Sequence, residues 1–180
     1  MEKIKALTLL YSPEVIQDRV RDMAKEINAL YEGEPLVIIC VLKGAFMFFS
    51  DLLKHITVQP EIDFVRVASY GSGTSSSRTI SFSKDVEISL DGKHVLLVED
   101  VVDSGHTMDF LFRQLAARGA KSLRLAALVD KRERREADVS VDFPGFVLND
   151  GFILGYGLDY AERYRELPAV YVAELEEQQA

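Results

Sequence analysis

The segment Leu36-Val37-Ile38-Ile39-Cys40-Val41-Leu42 runs through seven apolar residues without a break and stops at Lys43-Gly44. A run of that length reads as a strand buried on both faces, which is how the strands of a parallel sheet look. Ala45 to His55 follows, with Phe46, Phe49, Leu52 and Leu53 at helical spacing. The unit is therefore strand, short loop, helix.

The same grammar extends in both directions. Ser12-Pro13 sets a capping hydroxyl before a proline at the first helical position, and Ile16, Val20, Met23, Ile27 and Leu30 then recur with helical period until Gly33. A strand is predicted over Ile62 to Ala68, after which the Ser69 to Ser77 stretch is too rich in glycine and serine to bury itself and reads as a mobile loop. Asp91-Gly92 is a hairpin-turn signal, which predicts flanking strands at Val86 to Leu90 and Val95 to Val98. Thr107 to Arg118 has a helical pattern closed by Gly119, and Leu123 to Val129 is again strand-like. Strand, helix and strand in that order imply a right-handed parallel crossover. Short strands are expected at Phe152 to Tyr156 and Val170 to Leu175, with the charged tail from Glu174 fraying. The fold class is α/β with a mainly parallel sheet.

At 180 residues and 48% hydrophobic, with no composition break, the chain is expected to form one domain over residues 1–180. No apolar stretch approaches the roughly 20 residues of a membrane helix, and Met1-Glu2-Lys3-Ile4-Lys5 does not resemble a secretion signal, so a cytoplasmic location without membrane contact is expected. The net charge of −8 argues against nucleic-acid binding, which needs a basic footprint. Cys40 sits in an apolar run as a small hydrophobe, and His55, His94 and His106 have no ligand spacing, so a bound metal must be held by oxygen. The charged run Lys131 to Glu136 reads as solvated surface, apart from Lys131 itself.

Chemistry concentrates in Val95 to Thr107, where four apolar residues lead to Glu99-Asp100, two more to Asp103, and Ser104-Gly105-His106-Thr107 then opens a helix. A parallel strand delivers the acids to the carboxyl edge of the sheet, where open α/β sheets bind ligands, and the glycine loop offers amides and hydroxyls at a helix N-terminus. That end is a phosphate cradle. Acids beside an anion site suit a phosphorylated ribose, whose hydroxyls donate to carboxylates, and a diphosphate that carries magnesium.

This segment resembles the donor-binding motif of the type I phosphoribosyltransferases, with Ser104 in place of the usual threonine. Leu42-Lys43-Gly44-Ala45, Ser69-Tyr70-Gly71, Asp130-Lys131 and Phe152 to Tyr160 extend the resemblance over almost the whole chain, to the bacterial hypoxanthine-guanine phosphoribosyltransferases. It implies a mainly parallel twisted sheet flanked by helices, with a small base-binding hood made from the N-terminal and C-terminal segments. It further implies transfer of the phosphoribosyl group of 5-phosphoribosyl 1-diphosphate to a 6-oxopurine, with Mg2+ as cofactor, in a homodimer or homotetramer.

Carried over by position, Glu99 and Asp100 bind the ribose hydroxyls, and Asp103, Ser104, Gly105, His106 and Thr107 hold the 5-phosphate. Asp103 is the expected proton acceptor, and Lys43, Gly44 and Arg165 meet the diphosphate. Lys131, Phe152, Ile153 and Asp159 serve the purine side, while Asp159, with Glu99 and Asp100, is expected to hold the metal. Ser69 and Tyr70 fall on an active-site loop spanning residues 69–83, in which Arg78 stands where the family pattern has glycine. A regulator that senses the donor, or a uracil phosphoribosyltransferase that doubles as an RNA-binding attenuator, would share the donor motif. The lack of a helix-turn-helix or basic patch and the presence of Asp103 weigh against the first, and the acidity of the chain and its Phe152 to Asp159 segment disfavour the second.

Overall fold

The computed structural model describes residues 3–70 and 79–176. In chain order the elements are β1 (Ile4–Tyr11), α1 (Pro13–Leu30), β2 (Leu36–Val41), α2 (Phe46–Leu53), β3 (Glu61–Tyr70), β4 (Thr79–Lys84) and β5 (His94–Val102). After these come α3 (His106–Ala116), β6 (Ser122–Asp130), a 3-10 turn at Arg132–Arg134, β7 (Phe143–Val147), β8 (Ile153–Leu154) and β9 (Val170–Leu175). Ser12 caps α1 by accepting the Val15 N–H, Pro13 opens its first turn, and Ile16, Val20, Met23 and Ile27 form its buried stripe.

The main sheet has the order β4-β3-β2-β5-β6-β7, with β4 antiparallel at one edge and the remaining neighbours parallel. Strand β2 is buried along its whole length, and the pleat sorts its residues between two cores. Leu36, Ile38 and Cys40 join the core packed with α1 and α2, whereas Val37, Ile39 and Val41 join the one packed with α3. Leu96 and Val98 of β5 divide from Val95 and Leu97 in the same way. A slip by one residue would exchange the two sets, so burial on both faces fixes the register.

From β2 the chain passes to β3 on one side, and from β5 it passes to β6 on the other. The boundary between β2 and β5 is thus the switch point where a crevice opens at the carboxyl ends of the strands. A second, antiparallel sheet of order β1-β9-β8 joins the two ends of the chain. Ile153 and Val170 anchor it in the α1–α2 core, and it forms the expected hood.

Some expectations need correction. Val86 to Leu90 is not a strand, and Asp91-Gly92 closes a turn without a hairpin, because both neighbours of β5 are parallel. The amides of Glu87 and Ile88 instead donate to Oδ2 of buried Asp63, at 2.6 and 3.2 Å. Ser69 and Tyr70 end β3, and Thr79–Lys84 is strand β4, so both ends of the expected 69–83 loop are strand; residues 71–78 lie outside the described residues. The Phe152 to Tyr156 strand shrinks to Ile153–Leu154, and residues 174 and 175 of the tail belong to β9. Cys40 is fully buried, and its thiol pKa is pushed up to about 12 by burial and then by Glu99 and Asp100. Among the described residues no helix is long and apolar enough to cross a membrane.

Candidate active site

A cleft of about 330 Å³ lies at the switch point, lined by residues that follow β2, residues that end and follow β5, and two from the C-terminal segment. Lys43, Gly44, Glu99, Asp100, Asp103, Ser104, Gly105, Thr107, Asp159 and Arg165 all contribute. The structure thus gathers into one cleft ten residues spread over more than a hundred positions of sequence. Val67, Val101, Val102 and Met108 add apolar wall that sequence reasoning did not single out.

The end expected to hold a phosphate is built from backbone. Gly105 stands at the N-cap of α3 with φ of 87°, a left-handed conformation that suits glycine, and no side chain caps the helix. Its first-turn amides and the positive end of the helix dipole therefore favour an anion. The His106 ring turns away from the cleft to Glu136, at 2.8 Å, leaving only its backbone at the helix start. Behind the loop, Arg135 donates from Nε to the Asp103 carbonyl at 2.9 Å and from NH2 to Asp130 Oδ1 at 2.6 Å. Arg135 is largely buried, so the charge run is not all solvated surface. Arg134 Nε lies 3.3 Å from Asp103 Oδ1, close enough to pair ionically but not in hydrogen-bonding geometry.

Across the cleft, the Leu42–Lys43 peptide is cis, and Gly44 brings the backbone against Asp100 so closely that a Cβ there would overlap its carboxylate. Glu99 is buried and accepts the Asp100 N–H at 3.1 Å. Burial, and next the charge of Asp100, push its carboxyl well above the usual range. Arg165 donates to the Gly157 carbonyl at 2.8 Å and pairs with Asp159 at 2.8 Å. Glu162 bridges Lys43 and Arg165, and hydrogen bonds to these two cations hold its carboxyl below the usual range. No sequence signal marked it, since Lys43 is 119 residues away.

Of the residues expected on the purine side, Asp159 lines the cleft, whereas Lys131, Phe152 and Ile153 do not, and Lys131 reaches its wall through Val102. Lys131 is buried, donates from Nζ to the Gly151 carbonyl at 2.7 Å, and ties its own N–H to the Val102 carbonyl at 2.9 Å. Phe152 follows Gly151, is 39% exposed as a residue, and sets its ring at 82° to that of Tyr160 with centroids 5.2 Å apart. Ile153 is buried in β8.

The cleft-lining side chains include four acids, Glu99, Asp100, Asp103 and Asp159, against two cations, Lys43 and Arg165. Among the described residues no three His, Cys, Asp or Glu side chains converge into a metal cage. The carboxylate oxygens of the lining are hard donors of the kind magnesium takes, and magnesium retains waters and shares its coordination with substrate phosphates.

A doubly wound sheet that sets an uncapped, glycine-led helix start opposite paired carboxylates defines a binder of phosphorylated sugars or nucleotides. The family model described as phosphoribosyl transferase domain matches residues 9–161, and the chain belongs to that family. It is 44% identical over 164 residues to a hypoxanthine-guanine phosphoribosyltransferase of Bacillus subtilis, covering 91% of each chain. It is also 44% identical over 162 residues to the bifunctional protein TilS/HprT of Listeria innocua; that match covers 90% of this chain but spans only 25% of the relative's length. The crystal structure of a Staphylococcus aureus hypoxanthine phosphoribosyltransferase superposes with a TM-score of 0.90 at 37% identity, covering 95% of this chain and 92% of that one.

Proposed function

We propose that the protein transfers the 5-phosphoribosyl group of 5-phosphoribosyl 1-diphosphate to N9 of a 6-oxopurine, releasing diphosphate, in purine salvage. The observation that carries this reading is the single cleft in which the phosphate loop, the Glu99-Asp100 pair and the cations Lys43 and Arg165 face one another. In the reaction the bond from the anomeric carbon to the diphosphate oxygen breaks, its electron pair leaves with diphosphate, and N9 forms the new bond. Positive charge builds on the ribose ring, as in glycoside cleavage. Glu99 and Asp100 orient the ribose through its hydroxyls and face that charge, while Lys43 and Arg165 neutralise the leaving group.

The proton at purine N7 goes to Asp103. Lys131 donates to the 6-oxygen, Phe152 stacks on the ring, and Ile153 offers its backbone to the base. Asp159, with Glu99 and Asp100, supplies oxygen ligands for magnesium, which when bound with the donor offsets the diphosphate charge. The enzyme is cytoplasmic and a homodimer or homotetramer under this reading. A donor-sensing regulator is less well supported, because it needs neither a buried Lys131 nor an exposed Phe152.

The Asp103 role is tested by Asp103→Asn, which removes the proton acceptor with little change in shape. Turnover is expected to fall by roughly 100-fold or more while donor binding changes much less. Turnover near that of the unmodified protein, with chemistry limiting the rate, excludes Asp103 as the base.

A further inference from the structure

Two consecutive residues, Ala161 and Glu162, have φ of 51° and 65°. They form the middle of a turn in which Tyr160 and Arg163 exchange both backbone hydrogen bonds at 3.1 Å. Positive φ at both central positions is the pattern of a type I′ turn, usually filled by Asn-Gly or Asp-Gly. Alanine and glutamate both suffer the Cβ crowding of left-handed backbone, so local preference opposes this turn and its contacts must hold it. One is the Glu162 N–H, which donates to Asp159 Oδ2 at 2.9 Å, and the others are ionic. Glu162 Oε2 lies 2.7 Å from Lys43 Nζ and 3.3 Å from Arg165 NH2. These are the two cations of the cleft lining, and one carboxylate oxygen engages both.

We propose that Glu162 is a built-in counter-anion of the diphosphate subsite, which holds Lys43 and Arg165 in the ligand-free protein and is displaced when the diphosphate group arrives. The inference deepens the phosphoribosyltransferase reading and rests on it. Arg165 also pairs with the cleft acid Asp159 at 2.8 Å, and Glu162 supplies a further counter-charge, shared with Lys43, that offsets the repulsion between the two cations. Glu162 joins the two cations through one carboxylate oxygen. Its side chain is 65% exposed, so it can swing into water without disturbing the core. An incoming diphosphate carries more charge than a carboxylate and wins the competition, but its net affinity is reduced by the contacts it breaks. The same competition assists departure of the product diphosphate, because the carboxylate is tethered beside the site and recaptures both cations as the ligand leaves.

The test is calorimetric titration of inorganic diphosphate, with magnesium, into the full chain and its Glu162→Gln, Glu162→Ala and Ala161→Gly variants, each checked for folding by thermal unfolding. Loss of the tethered competitor is expected to tighten binding about fivefold in both Glu162 variants, a modest change because exposed ion pairs are weak. Most of that change is expected in the dissociation rate. Ala161→Gly relaxes the turn but keeps the carboxylate, and is expected to bind like the unmodified protein. Equal or weaker binding in the Glu162 variants overturns the proposal, as does equal tightening in all three variants, which would assign the effect to the turn. Absence of diphosphate binding by the unmodified protein and every variant would instead overturn the phosphoribosyltransferase reading itself.

Discussion

Gly44→Ala separates the geometry of the cleft from the stability of the fold. A Cβ at Gly44 overlaps the Asp100 carboxylate, the free end of a side chain, so the clash is relieved by turning that carboxylate away. Gly44 does not have a left-handed φ, so alanine brings no backbone strain there. The rotation gives up the 2.8 Å bond from the Val101 N–H to Asp100 Oδ1, which costs about 1 kcal/mol. Replacing glycine returns about 0.4–1 kcal/mol by restricting the unfolded chain. The net change stays within about 1 kcal/mol, or about 2–4 °C in Tm for a chain of this size.

Activity should respond very differently. A displacement of about 1 Å at a group that orients substrate costs on the order of 100-fold. We expect kcat/KM for the phosphoribosyl donor to fall by about that factor with Tm almost unchanged, measured by nucleotide formation and by thermal unfolding. Unimpaired kcat/KM would refute the argument that the close approach of Gly44 sets the position of Asp100. A collapse of Tm would show that Asp100 cannot yield.

Lys131→Met keeps side-chain length but removes the donor, so it is expected to raise KM for hypoxanthine and narrow the gap between hypoxanthine and adenine, with less effect on the donor KM. An unchanged ratio of the two kcat/KM values in steady-state kinetics would leave Lys131 with a bond to Gly151 and no part in base choice. Arg135→Lys loses the fork that reaches Asp130 and the Asp103 carbonyl together, which costs roughly 1–3 kcal/mol and lowers Tm by several degrees. An unchanged Tm would show that Arg135 does not brace the phosphate loop.

What was legible in the sequence is what local rules decide. Helix α1 has its cap, its proline and its apolar stripe in consecutive residues, and β2 has an unbroken apolar run. The strand-to-helix turn at Gly105 could be read because its strand, acids and glycine are contiguous. Strand β7 could not, because Pro144 and Gly145 are strand breakers; they are tolerated because β7 is an edge strand with one neighbour. Strand β1 owes its pairing to β9, at the far end of the chain, so local pattern says little about it. The error at Val86 to Leu90 has a tertiary cause, because the amides that would join a ladder go to Asp63. The same holds in the site, where Arg135 reads as surface charge and Glu162 carries no signal until folding sets them against the Asp103 carbonyl and Lys43.

The most direct test of the proposed reaction is to incubate the purified protein with 5-phosphoribosyl 1-diphosphate, magnesium and one nucleobase at a time, and to quantify nucleotide and diphosphate together. The account predicts equimolar nucleoside monophosphate and diphosphate with a 6-oxopurine, very slow turnover with adenine, and loss of activity in chelator that magnesium restores. Failure to form a nucleotide from hypoxanthine, guanine or xanthine, or full activity in chelator, would contradict it.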